Sequence, residues 1–241
     1  MVTFTFFTFQ GLANRWWAFG RMGMRPFNDK AAPGLQFARM LGTGGGNGFS
    51  IFPDFGQYGW LGVWDSEEAA KDFFAKSTLF KSFRDRSDTY MTIYATPLMS
   101  HGKWDGKEAF SPGKAFDPQR PVAVLTRATI KVRHLIRFWS YVPKVSKSIE
   151  AFSERSLFHT GVGELPLVQQ ATFSIWTSGQ DMLDYAYKSP LHAEVVKKTR
   201  TLGWYAEELF ARFEVLKAEG SGFRGDLQQK IAELVSDNHI T

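Results

Sequence analysis

The chain repeats itself, and that repeat limits its fold more than any other feature. With Trp64 set on Trp176, 112 residues further on, Gln57 meets Gln169 and Asp72 meets Asp184 without a gap. Phe73 then meets Tyr185, Lys76 meets Lys188, Ser77 meets Ser189 and Leu79 meets Leu191. Upstream, MLGTGGG (Met40–Gly46) resembles LFHTGVG (Leu157–Gly163), and RWWAF (Arg15–Phe19) resembles RFWSY (Arg137–Tyr141). The spacings differ but the order is kept, so one supersecondary unit is written twice.

Each copy reads as βαββαβ. In the first, Val2–Phe9 is β-branched and aromatic, a strand by composition. Gly11–Pro26 reads as a helix with Trp16, Phe19 and Gly23 near one face, Leu35–Leu41 as a short strand, and Gln57–Trp64 as a buried strand. Ser66 caps a helix whose first turn carries Glu67 and Glu68. A short helix at Thr78–Arg86 and a strand at Thr89–Leu98 complete the copy. The second copy gives strand Val122–Ala128, helix His134–Phe152, strands Ser156–Thr160 and Val168–Trp176, helices Gly179–Tyr187 and Pro190–Leu202, and strand Glu207–Leu216. A four-stranded antiparallel sheet with helices on one face must cover its other face. Two such sheets cover each other. The expected class is therefore α+β, with tandem ferredoxin-like repeats forming a dimeric α+β barrel-type fold within one chain. Its expected parts are a first repeat (1–100), an exposed Gly-, Pro- and charge-rich linker (101–120), a second repeat (121–220) and a helical tail (221–241). Leu227, Ile231, Leu234 and Val235 give that tail a helical stripe, to be packed on the body or on a partner copy.

Composition narrows the chemistry. Without cysteine there is no disulfide, thiolate metal site, cysteine nucleophile or thiolate-ligated haem. The net charge of +5 comes from scattered basic residues. Nucleic-acid binding, which calls for a basic stripe or motif, is not expected; weak attraction to anionic lipid or an acidic ligand is. MVTFTFFTFQ lacks the marks of a signal peptide or a membrane helix, so a cytoplasmic protein, open to membrane association, is the expectation. An aromatic share of 16% points either to a large apolar cavity or to an aromatic-rich core. Gly42–Gly48 (GTGGGNG) lacks the Lys-Ser/Thr of a phosphate loop and reads as a turn that can line a cavity.

Among five histidines, His192 stands out. In SPLHAEVVKKTR it shares a helix face with Val195, Val196 and Thr199, while Glu194, Lys197 and Lys198 take the other face. Its counterpart in the first copy is Phe80, a core position. A neutral imidazole there suits a haem iron, and equally suits a core histidine with both nitrogens hydrogen-bonded. His159, in a short strand beside the glycine turn, is a candidate distal-side group or a plain turn residue. Arg137, like Arg15, is either a buried arginine facing a cavity, able to stabilise a bound peroxide or a propionate, or a solvated helix-face residue. Trp139 either lines an apolar pocket or packs a core. His101, His134 and His239 are weaker candidates, and no nucleophile elbow is present.

Four segments carry a family likeness. YKSPLHAEVVKKTRTLGWYAEELFARFEVL (Tyr187–Leu216), FQGLANRWWAFGRMG (Phe9–Gly23), PGLQFARMLGTGGGNGF (Pro33–Phe49) and GKWDGKEAF (Gly102–Phe110) resemble the bacterial spheroidene monooxygenases, carotenoid ketolases of purple bacteria. The resemblance implies a haem b enzyme that uses O2 and an electron donor to oxidise an acyclic carotenoid near its methoxy end. It makes His192 the expected iron ligand, with Lys197, Lys198 or Arg200 at the propionates. The layout also resembles the chlorite dismutase group, which places its proximal histidine in the second half. A membrane-borne substrate implies peripheral membrane contact, and a homo-oligomer stays open. Two other readings stand beside this one: a haem enzyme of aldoxime dehydratase-like or peroxide-using type, and a non-catalytic haem-binding protein.

Overall fold

The computed structural model describes residues 1–24, 32–45, 50, 52–140, 152–188 and 202–237. The first copy contributes β1 (Val2–Thr8), α1 (Leu12–Met24), β2 (Leu35–Gly44), β3 (Pro53–Trp64), α2 (Glu67–Lys76), α3 (Thr78–Arg86) and β4 (Thr89–Gly102). The second contributes β5 (Val122–Ile130), a helical stretch α4 at 135–140, β6 (Ser156–Leu165), β7 (Gln169–Trp176), α5 (Gly179–Lys188) and β8 (Tyr205–Ser221). α6 (Leu227–Asp237) follows. The expected helix Pro190–Leu202 lies almost wholly outside the described residues, as does most of His134–Phe152.

The eight strands close into one antiparallel barrel in the order β1-β3-β2-β6-β7-β5-β8-β4. Starting at β4, the first half runs β4-β1-β3-β2; starting at β8, the second runs β8-β5-β7-β6, the same order again. Alternation explains why β1 is buried throughout. Phe4 and Phe6 point into the barrel, while Phe7 and Phe9 meet the helices outside it. The outward hydroxyls between them are paired: Thr5 with Thr92 at 2.9 Å, and Thr3 with the indole N–H of Trp64 at 2.9 Å. Inside, Phe4, Phe6, Phe158, Phe173 and Phe213 pack in tilted and edge-to-face pairs, with centroids 4.5–5.3 Å apart. The barrel interior is thus a filled core, and any large cavity must lie outside it.

Helix capping follows the sequence. Ser66 accepts a bond from the Ala69 amide to start α2, and Ser77 accepts one from Phe80 to start α3. Strand ends run further than apolar patterning suggested. β2 continues through Gly44 and β8 from Tyr205 to Ser221, because ladder bonds to their neighbours outlast the hydrophobic run.

The connection after β4 is exposed over most of its length, but three of its residues are buried in the body. Trp104 is 0% exposed, and Ala109 and Phe110 are buried in the barrel core. They close the barrel end where Phe37 and Arg127 lie. Phe223, Leu227 and Ile231 close the opposite end beside Phe6 and Phe158, so the tail helix packs on its own body.

Candidate active site

A cleft of about 1050 Å³ opens outside the barrel, between α1, the outer face of β2 and β3, and the β6–β7 turn. Most of its lining is apolar: Phe19 and Met22 from α1, Met40 from β2, Phe55 from β3, and Trp139, Val162 and Leu167 from the second half. Glycine makes the hollow. Gly42 and Gly163 face each other where β2 meets β6. A Cβ on Gly163 would come 2.5 Å from the Gln169 carbonyl oxygen, so no side chain fits there. A Cβ on Gly42 would meet Met22 at an ordinary 3.5 Å. The expected glycine-rich turn thus begins as strand, and Gly42 and Gly44 line the cleft; residues 46–49 lie outside the described set.

One wall is charged. The Arg39 guanidinium lies over the Phe37 ring at 4.0 Å and bonds Asp105 at 3.0 Å and Glu164 at 3.1 Å. Arg127, 2% exposed, bonds Asp105 at 3.1 Å, pairs with Glu207 and lies 3.7 Å from Glu164. The Trp104 indole donates to Glu164 at 2.7 Å, and the Arg127 guanidinium lies 5.2 Å from its ring centroid. Two cations therefore hold three carboxylates at the barrel end, and Arg39, Asp105 and Glu164 reach the cleft. Burial, aided by Asp105, raises the Glu164 carboxyl above the ordinary range against its bonds to Trp104 and the arginines. Glu207 goes the other way: its burial is outweighed by the amides of Gly106 and Asp105 and by Arg127.

The described lining contains no histidine. Its phenol, Tyr58, is pushed up to about 12, by burial first and Asp54 second, against the phenolate an iron would need. The cleft as described therefore does not itself fit an axially ligated porphyrin, and the haem expectation rests on His192.

No family model matches the chain. It is 37% identical to the spheroidene monooxygenase of Cereibacter sphaeroides over 220 residues, covering 91% of this chain and 68% of that one. It is 33% identical to that of Rhodobacter capsulatus over 238 residues, covering 97% and 98%. The chain belongs to the spheroidene monooxygenase family. It is thereby an oxidoreductase of monooxygenase type. Among solved structures, an aldoxime dehydratase superposes with a TM-score of 0.61 at 11% identity, over 89% of this chain and 80% of that one, which shows a shared fold.

In this spheroidene monooxygenase relative, the structure brings Trp139 to the cleft, where its indole donates to the Leu167 carbonyl at 3.1 Å. Arg137 is exposed, in keeping with the solvated helix-face alternative and not with a buried arginine facing a cavity. Arg15 is likewise exposed and donates to the Phe9 carbonyl at 3.1 Å. His159 stands opposite Ser174 on β6, half-buried, with Nδ1 3.3 Å from the Ser156 hydroxyl and outside the cleft lining. His192, Lys197 and Arg200 lie outside the described residues. Sequence reasoning missed Arg39, Tyr58, Asp105 and Glu164. The signals were present: glycines 42 and 163 mark matched turns in the two copies, and Trp104-Asp105-Gly106 lies within a family-like segment.

Proposed function

We propose that this chain is a haem-dependent monooxygenase that oxidises an acyclic carotenoid of the spheroidene type, held in the α1–β2 cleft. The cleft carries this reading, because a roomy, glycine-floored groove of about 1050 Å³ with a largely apolar lining suits a hydrocarbon in a family whose relatives are named for spheroidene. The repeated strand order supports the tandem ferredoxin-like, dimeric α+β barrel description and the two-repeat division of the chain. Bound haem b would supply O2 activation, with electrons from a donor. This chain's own residues bind the substrate, exclude water through Phe19, Met22, Met40 and Leu167, and keep the charged wall neutralised by mutual pairing.

His192 is assigned as the iron ligand, with Lys197 and Arg200 toward the propionates. Its counterpart Phe80 is buried at 3% exposure in the aromatic layer outside the first half-barrel, which supports an inward-facing side chain at the repeated position. Haem-supplied His192→Ala protein is expected to lose the Soret band and the ferrous–CO spectrum of the wild type. Unaltered spectra would sink the assignment. Turnover with O2 and reductant, against peroxide alone, separates the monooxygenase from a peroxide-using enzyme.

Substrate arrival is assigned to the surface of an anionic membrane. No helix among the described residues is long and apolar enough to cross one. Leu12 (76% exposed), Trp16 (69%) and Phe52 (72%) stand in solvent beside Phe19 and Phe55, which line the cleft. α1 carries Arg15 and Arg21 and no acidic residue. An exposed aromatic patch beside cations suits the headgroup region of an acidic bilayer. Trp16→Glu combined with Phe52→Glu is expected to weaken co-sedimentation with phosphatidylglycerol vesicles about tenfold or more, since binding scales with apolar area buried. Binding equal to that of the wild type would refute the surface.

A further inference from the structure

Tyr58 borders the cleft and is 2% exposed; its buried Oη has no hydrogen-bond partner among the described residues. Buried polar groups are nearly always satisfied, so an orphan in a well-packed strand calls for a reason. Tyr58 lies on β3 opposite Gly42, on the outer side of the barrel, with its ring edge-on to Phe9 at 6.0 Å. Burial and Asp54 keep it a phenol, hence a donor, at every physiological pH. Asp54 already accepts the Gly56 amide at 2.7 Å, and Arg39 and Glu164 across the cleft are bound to each other.

We propose that Tyr58 is a specificity-determining residue whose hydroxyl donates to the lone oxygen — ether, hydroxyl or keto — of an otherwise hydrocarbon ligand in the cleft. This rests on the reading of the cleft as the carotenoid site. A pure hydrocarbon leaves the phenol unsatisfied, whereas an oxygen-bearing chain satisfies it. Sites built this way discriminate against ligands lacking the polar atom.

The test is equilibrium binding of two long acyclic polyenes from detergent micelles, one ending in a methoxy group and one lacking it. Quenching of tryptophan emission reports binding, because Trp139 borders the cleft. Wild type is expected to prefer the methoxy polyene about tenfold, the worth of one well-made hydrogen bond. Tyr58→Phe is expected to erase that preference while leaving hydrocarbon affinity and melting temperature unchanged or slightly raised. A merely structural phenol would lower the melting temperature and leave the ratio alone. Saturable binding with no preference in wild type, or with the preference kept in the variant, overturns this inference alone. Absence of saturable binding by either polyene overturns the cleft reading, and this inference with it.

Discussion

On the proposed reading of the cleft as the carotenoid site of a haem enzyme, replacing Gly42 with leucine is expected to abolish substrate oxidation while leaving the protein folded and any haem content unchanged. The position is a strand residue without positive φ, and its Cβ would meet only ordinary contacts, at 3.5 Å to Met22 and 3.8 Å to the Gly163 carbonyl. Leucine also exchanges a poor strand former for a better one. The rest of the side chain has nowhere to go but the cleft, where it displaces an extended ligand. Displacement of substrate from a near-attack position by about an ångström already costs about a hundredfold in rate, so a loss at least that large is expected. The melting temperature is expected to move by less than about 3 °C. Carotenoid turnover and thermal unfolding check this together, with haem absorbance as the control. Full activity in a folded variant would place the substrate elsewhere.

Arg127→Met is expected to have the largest effect on stability. The strand register makes clear why the residue is unusual. Phe6 pairs with Gly59, and Arg127 pairs with Ala171, positions related by the same repeat. Arg127 therefore occupies the place of an inward phenylalanine. It is tolerated because Asp105, Glu164 and Glu207 converge on it. Removing it leaves three carboxylates with Arg39 as the remaining cation of the cluster. Breaking a buried pair costs about 3–5 kcal/mol; the low end, about 3 kcal/mol, applies because Asp105 and Glu207 reach solvent. The pH dependence has a definite sign. Without Arg127 the Glu164 carboxyl, which burial already raises, holds its proton in the folded state at higher pH than in the unfolded state. The folded state then binds more protons, so stability falls as pH rises from 5 to 7 and returns on acidification. Chemical denaturation at both pH values measures this. A variant equally stable at both, and close to wild type, would show that the cluster is solvated surface.

The fold was legible in its duplicated parts and obscure where the copies differ. Trp64 and Trp176 sit at matched places on β3 and β7, and Ser66 caps its helix as its residue type predicts. Closure of the barrel is different. It depends on which strand edges of the two halves meet, and nothing local to Gly42 or Gly163 announces that they pair. GKWDGKEAF reads as exposed because its lysines and glycines dominate its composition. Trp104 is buried by Phe37, Arg127 and Glu164, all distant in sequence. Tyr58 passed as one more strand aromatic, since only the packed structure reveals that its hydroxyl lacks a partner. The charged wall was not legible, because its five charged members come from five separate stretches of chain.

The two lines along which the half-barrels join are unequal. β4 and β8 pair over eleven residue positions, from Met91 with Gly220 to Gly102 with Leu209, whereas the described β2–β6 pairing consists of Gly42 with Gly163 and Thr43 with Val162. One join is a spine and the other a clasp. The groove lies across the clasp, so a rigid rod-like guest resting against α1 and the β6–β7 turn fastens the two halves where the backbone ladder is shortest.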